Sequence, residues 1–272
     1  MLGLIAGNGN YPRTVARAAK KAGVARVVAA AFENETDPAL AAEVDGIEWM
    51  RVGQLGRMIK YFRQAGVTEA MMAGQIAPKN LFDLRPDLRA LLLLGRLRLR
   101  HAESIFGAIA DEMAKDGITL LPATTFLDDL LPAPGPVCGP EPSAKQMADV
   151  AFGFRMAKEM SRLDIGQTVV VKRGTVLAVE AFEGTDECIK RGGALGRGGA
   201  TLAKVSKPGQ DFRFDVPVVG PRTVRHAAEA GVQVIAVEAR RTLLLEMDEL
   251  RALCAAHKIS LVAAQEDEAP AA

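Results

Sequence analysis

The sequence predicts an α/β chain in two domains, a parallel-sheet domain followed by a mixed α/β domain, and three observations carry this. Short apolar runs alternate with helical periodicities through the first half, the pattern of parallel strands covered by helices. A stretch dense in proline and glycine, Pro132 to Pro140, interrupts that pattern near the middle of the 272 residues. Beyond it, two apolar runs flank a Lys172-Arg173-Gly174-Thr175 turn and read as a β-hairpin, which a purely parallel sheet would not contain.

In chain order, Leu2 to Ala6 reads as a buried strand closed by Gly7-Asn8-Gly9-Asn10, and Arg13 to Ala22 as a helix stopped at Gly23. Val27 to Ala31 and Glu48 to Val52 follow as strands, Leu55 to Ala65 as a helix ended by Gly66, and Glu69 to Gly74 as a strand. Helices are expected over Pro86 to Arg98 and Ala102 to Asp116, then a strand over Ile118 to Leu121. Together these predict a Rossmann-like domain over residues 1–131, with 132–142 as a proline-rich linker. The catalytic α/β domain is placed at 143–264. It opens with a helix capped by Ser143 and running through Ala157. Strands are expected over Thr168 to Lys172, Val176 to Ala181, Thr201 to Val205, Val234 to Val237 and Ser260 to Ala263, with helices over Val224 to Ala230 and Met247 to His257. The acidic, alanine-rich residues 265–272 read as a disordered tail.

Composition narrows the function. A chain that is 49% hydrophobic and 25% charged, with net charge +1, carries no overall field to draw in nucleic acid, so anion binding has to come from local clusters. Cys138, Cys188 and Cys254 are odd in number and without CxxC spacing, which predicts free thiols in a reducing cytoplasm. The opening residues lack a basic region ahead of an apolar core, so no signal peptide is expected, and no run reaches the length of a membrane span.

Several segments can carry chemistry. The turn Gly7-Asn8-Gly9 lies between a strand and a helix, where backbone N–H groups receive phosphate, although Pro12 stands where the dinucleotide fingerprint wants its third glycine and a plain tight turn is an equal alternative. Glu183 and Asp186, in Glu180-Ala-Phe-Glu-Gly-Thr-Asp186, bring carboxylates to the end of a strand; without His or Cys nearby they suit a hard cation, with helix capping as the alternative. Lys190 to Gly199 reads as a basic, glycine-rich loop able to wrap an anion, with a flexible surface loop as the alternative. Arg213 and Asp215 alternate with apolar residues along an extended segment and so share a face, where they fit metal-bound phosphate chemistry or a structural ion pair. His101, His226 and His257 are scattered and read as surface or helix-end residues. Arg85 to Arg100 interleaves five arginines with seven leucines and reads as an amphipathic helix with a solvated face, or one that meets a membrane.

On Gly3-Leu-Ile-Ala-Gly-Asn-Gly-Asn-Tyr-Pro12, Ile59 to Ala65, Met71 to Ile76, Phe126-Leu127, Asp164 to Val171, Ala178 to Asp186 and Arg213-Phe-Asp-Val-Pro217, the chain resembles the UDP-2,3-diacylglucosamine pyrophosphatases of lipid A biosynthesis, of the LpxI type. The resemblance covers nearly the whole chain. It implies Mg²⁺-dependent hydrolysis, with Mn²⁺ as the alternative metal, of the pyrophosphate bond of UDP-2,3-diacylglucosamine to UMP and 2,3-diacylglucosamine 1-phosphate. Asp215 corresponds to the family's important aspartate. Asp215, Asp186 and Glu183 are the expected catalytic and metal-binding set; Gly7, Asn8, Gly9, Gln167, Thr185, Lys190, Arg191, Lys204 and Arg213 are the expected substrate-binding set. His101-Ala102-Glu103 stands where many relatives carry an acidic pair. A cytoplasmic enzyme in transient contact with the inner membrane is implied, with a homodimer left open. The rival readings are a dinucleotide-dependent oxidoreductase and a non-catalytic nucleotide- or lipid-binding protein.

Overall fold

An unbroken apolar run fits a strand covered on both faces. Strand β1 (Leu2–Ala6) is such a run: all five residues are buried, and it lies at the centre of a five-stranded sheet. The computed structural model describes residues 1–76, 86–97 and 102–265, with the side chains of 102 and 103 left aside. The chain divides into two units, one of Met1–Leu127 with Asp211–Asp215, the other of Asp128–Gln210 with Val216–Ala272.

In the first unit β1 is followed by α1 (Tyr11–Lys21), β2 (Val27–Phe32), β3 (Gly46–Met50), α2 (Leu55–Ala65), β4 (Glu69–Ala73), α3 (Leu88–Arg96), α4 (Ala102–Ala114) and β5 (Thr119–Leu120). The strands pair in parallel in the order β3-β2-β1-β4-β5, so the winding reverses between β1 and β4. Gly66 ends α2 with a φ of 79°, a left-handed turn that glycine adopts without strain. Asp87 caps α3 by accepting from Ala90 N at 2.9 Å, and the same carboxylate accepts from Gly56 N at 2.7 Å. The segment Asp211–Asp215 returns to this unit, where Ala123 N donates to Phe212 O at 2.7 Å and Phe214 packs on Phe106 with ring centres 5.5 Å apart.

The second unit contains β6 (Gly135–Cys138), α5 (Ala144–Arg162), β7 (Thr168–Lys172), β8 (Thr175–Val179), α6 (Thr185–Gly196), β9 (Ala200–Lys204), β10 (Val218–Val219), α7 (Pro221–Glu229), β11 (Val232–Glu238), β12 (Leu243–Leu244), α8 (Met247–His257) and β13 (Ser260–Ala264). Its main sheet runs β6-β13-β11-β9-β7-β8, with β13, β11 and β9 parallel and the expected β7–β8 hairpin antiparallel at one side. Ser143 begins α5 through a reciprocal cap with Gln146, and the helix continues five residues past the expected Ala157.

Two local expectations are corrected. The proline-rich stretch contributes a strand, β6, which pairs only with β13; an edge position tolerates Pro136, which has no N–H to give to a second neighbouring strand. The basic glycine-rich segment is not a loop, because α6 continues through it to Gly196. Its glycines serve close approach. A Cβ on Gly192 would stand 2.5 Å from Val170 Cβ, one on Gly193 2.2 Å from Ala230 O, and one on Gly196 2.9 Å from Leu177 Cδ1. Three glycines in this helix forgo about 0.5–1 kcal/mol each against alanine, and closer packing on β7, β8 and the end of α7 offsets that.

Gly193→Ala is accordingly expected to lower stability by about 1–3 kcal/mol, since the obstructing atom is backbone. Gly95→Ala, in the exposed part of α3 with open space around the new methyl, is expected to raise it slightly. Thermal melts of both variants check this; equal melting temperatures would remove the packing role from Gly193.

Candidate active site

Open α/β sheets bind ligands beyond the carboxyl ends of their parallel strands, and each unit has such an edge. In the first, backbone pairing closes much of it. Gly7 N donates to Ala73 O at 2.8 Å and Asn8 N to Gln75 O at 2.7 Å, and a Cβ on Gly7 would lie 2.6 Å from Gln75 O. The N–H groups of Gly7 and Asn8, read as phosphate donors from the sequence, are therefore already engaged. Gly9 turns with a φ of 89° and open space beside it, and Asn10 at the start of α1 carries a buried Oδ1 without a hydrogen-bond partner.

The edge of the second unit is richer. β9 ends at Lys204, which is 9% exposed, in register with Thr168 at the start of β7. β8 runs out into Glu180, and α6 begins at Thr185 behind Gly184, which provides no side-chain cap to the first N–H groups of the helix. Lys204 Nζ donates to Thr185 Oγ1 at 3.1 Å, and Thr185 Oγ1 donates to Glu180 Oε1 at 2.7 Å. Three oxygens on residues of this edge, Glu180 Oε2, Gln167 Oε1 and Thr168 Oγ1, are buried without hydrogen-bond partners. A buried acceptor without a donor costs about 1–3 kcal/mol, so each of these oxygens calls for a donor from a ligand or an ordered water.

Next along the sheet, β11 ends at Glu238, 7% exposed, which accepts from Lys158 Nζ at 2.7 Å, Ser206 N at 2.6 Å and Ser206 Oγ at 2.7 Å. Arg241 Nε donates to the same hydroxyl at 2.8 Å and stands 3.4 Å from Glu238 Oε1. Glu238, Lys158 and Arg241 were not singled out from the sequence. A signal was present in Glu238, a carboxylate at the end of an otherwise apolar strand.

The sequence-derived carboxylates are placed as follows. Glu183 pairs with Arg191, which also donates to Val179 O at 2.7 Å; its own backbone N–H and then Arg191 hold it below the usual carboxylate range. Asp186, in the first turn of α6, pairs with Arg222 and lies 3.0 Å from His226 Nδ1, which forms no hydrogen bond. Lys190 pairs with Glu187 at 2.6 Å on its own helix. Asp215 and Arg213 belong to the first unit, Glu183 and Asp186 to the second. The extended reading of 210–217 is corrected, because residues 212–214 form a turn in which Asp215 N donates to Asp211 O at 3.1 Å. Arg213 accordingly clamps Asp211 with contacts of 2.6–3.1 Å, where strand alternation pointed to Asp215. Among the described residues, no three of His, Cys, Asp and Glu gather as a metal-holding group. His101 and Arg85, Arg98 and Arg100 lie outside the described residues, as does nearly all of the tail.

A doubly wound parallel sheet followed by a mixed sheet, with a buried lysine at a strand end bonded to the first residue of a helix, defines a two-unit α/β protein with one edge suited to an anionic ligand. The LpxI N-terminal domain model matches residues 1–130 and the LpxI C-terminal domain model residues 133–262, and the chain belongs to the LpxI family. It is 34% identical over 258 residues to UDP-2,3-diacylglucosamine pyrophosphatase LpxI of Caulobacter vibrioides, covering 91% of each chain. Solved structures are more distant. The biotin carboxylase domain of Hydrogenobacter thermophilus 2-oxoglutarate carboxylase aligns with 64% of this chain at 15% identity and a TM-score of 0.27, and the biotin carboxylase subunit of pyruvate carboxylase with 66% at 14% and 0.27. This chain spans about a third of each, 35%.

The Asp211–Arg213 clamp makes a pH prediction. Hydrogen bonds from Arg213 hold Asp211 below the usual carboxylate range. Its folded pKa lies below the unfolded one, so its stabilisation is present above about pH 3.9 and is lost as pH falls through the lower folded value. Arg213→Ala is expected to move the Asp211 titration upward when followed by carboxyl NMR; an unmoved midpoint would remove the clamp.

Proposed function

We propose that this protein hydrolyses the pyrophosphate bond of UDP-2,3-diacylglucosamine, giving UMP and 2,3-diacylglucosamine 1-phosphate. The family and the named relative support the reaction, and one observation ties it to this chain: a buried lysine held at an uncapped helix start beyond the ends of parallel strands. A pyrophosphate carries negative charge on both phosphorus centres. Lys204 offsets part of it, and the first N–H groups of α6 donate where the helix dipole is positive. Thr185, itself oriented by Glu180, fixes the direction of the Lys204 ammonium. The unpartnered oxygens of Glu180, Gln167 and Thr168 suit ligand donors, such as the hydroxyls of a sugar or ribose. The leaving UMP departs as a phosphate anion and needs no proton at the moment of cleavage.

Mg²⁺, with Mn²⁺ as the alternative, belongs to the same proposal. Carboxylate oxygens without thiol or imidazole sets are the donors such cations take, and one or two suffice when substrate phosphates and waters complete the shell. Glu183 and Asp186, both in the second unit, are the proposed ligands and would exchange the charge of Arg191 and Arg222 for that of the metal; Asp215, in the first unit, is proposed as a catalytic carboxylate from its correspondence to the family's aspartate. When bound, the ion would withdraw charge from the phosphate oxygens.

Purified protein is expected to release UMP from UDP-2,3-diacylglucosamine and to stop when EDTA is added. Undiminished turnover in excess chelator would sink the metal assignment, and absence of UMP under every metal condition would sink the reaction. Asp215→Asn is expected to lower kcat by about 10²-fold or more with little change in KM, the signature of a group acting chiefly in the transition state. A folded Asp215→Asn enzyme with near wild-type kcat would take Asp215 off the catalytic set.

A further inference from the structure

Helix α3 is apolar on two sides. Ala90 and Leu93 are buried in the core of the first unit, while Leu88, Leu91 and Leu92 on the opposite side are 73%, 53% and 55% exposed. Positions 88, 91, 92, 95 and 96 follow the spacing i, i+3, i+4, i+7, i+8, so the leucines and Arg96 form one continuous outward stripe. Leaving three neighbouring leucines in water is unfavourable for a helix that has already buried its inner face. On the Arg89 side of α3, a groove of about 310 Å³ is lined by Lys60, Arg63, Arg89 and Asp116, among others. On the helical wheel, Arg89 and Arg96 fall on the same flank of the leucines. The acids nearby are engaged: Asp87 caps α3 and accepts from Gly56, and Glu112 and Asp116 pair with Arg89, Arg63 and Lys115. Arg63 nevertheless keeps 64% of its side chain exposed, and Lys60 and Arg96 are exposed.

We propose that this face of the first unit, the Leu88–Leu91–Leu92 stripe of α3 with Lys60, Arg63 and Arg96 beside it, docks on an anionic lipid surface. Leucine side chains enter the boundary between headgroups and acyl chains while the cations meet lipid phosphates, the division of labour of an interfacial helix. A second copy of this chain fits worse, because a twofold contact would press the same cations against each other. No helix among the described residues is long and apolar enough to cross a membrane, so the contact lies at the surface. The inference stands on the first unit alone and is independent of the pyrophosphatase reading.

The test is co-sedimentation of the full chain with vesicles of mixed phosphatidylglycerol and phosphatidylcholine, and of phosphatidylcholine alone. Wild type is expected to bind the anionic vesicles, more weakly in high salt, and to bind neutral vesicles poorly. Leu91→Gln with Leu92→Gln is expected to cut the partition by at least about tenfold, and Lys60→Gln with Arg96→Gln by about fivefold per cation removed. All four positions are exposed, so melting temperatures should stay at the wild-type value; if the leucine pair melts lower, the charge pair decides by the same readout. Wild-type protein that ignores anionic vesicles, or variants that bind as well as wild type, would overturn the proposal. So would a wild-type dimer in sedimentation velocity that the leucine variants convert to monomer, which would assign the stripe to a second copy.

Discussion

The close packing of helix α6 on strand β7 is the constraint on which the rest of the second unit depends. Gly192 and Gly193 bring the helix axis nearer to Val170 and Ala230 than any side chain would permit, while Gly196 meets only the mobile tip of Leu177. Set at that depth, the helix presents its first residue, Thr185, to the side chain that closes β9. Lys204 donates to its hydroxyl, and Glu180, just beyond the end of β8, completes the chain of hydrogen bonds. The glycines are thus a packing device whose consequence is electrostatic: they fix where a buried cation sits relative to the positive end of a helix.

Charge pairing gives the carboxylates different standing. Glu183 and Asp186 each face an arginine at the surface, where solvent screens the pairing and a stronger competitor for the carboxylate can displace it. Glu238 differs. Buried and served by Lys158 and both donors of Ser206, it cannot lose one partner without leaving charge in a desolvated place. The surface acids can change partners during a reaction, while Glu238 holds the segment after β9 in place.

Much of this was legible in the sequence because the signals were local. The first sheet followed from apolar runs at regular spacing, the hairpin from a tight glycine turn, and α5 from the Ser143 cap. The reading ran out where tertiary contacts decide. Lys190 to Gly199 has the composition of a loop, and only the proximity of Val170 and Ala230 explains why glycine belongs inside a helix there. Residues 210–217 alternate as a strand would, yet the chain turns at 212–214 and Arg213 takes Asp211. The proline-rich stretch looked unable to form a strand, since nothing local says that an edge position lies open beside β13. At the site, Thr185 and Lys204 could be named one by one; their hydrogen bond, and the cluster around Glu238, join strands far apart in sequence.

The most direct test of the account is the position of the pyrophosphate in a crystal structure of the protein with a non-hydrolysable analogue of UDP-2,3-diacylglucosamine whose bridging oxygen is replaced by methylene. The account predicts phosphate oxygens within hydrogen-bond distance of Lys204 Nζ and the first N–H groups of α6. A pyrophosphate seated instead on the Gly9–Asn10 turn of the first unit, with Lys204 still bonded only within the protein, would contradict it.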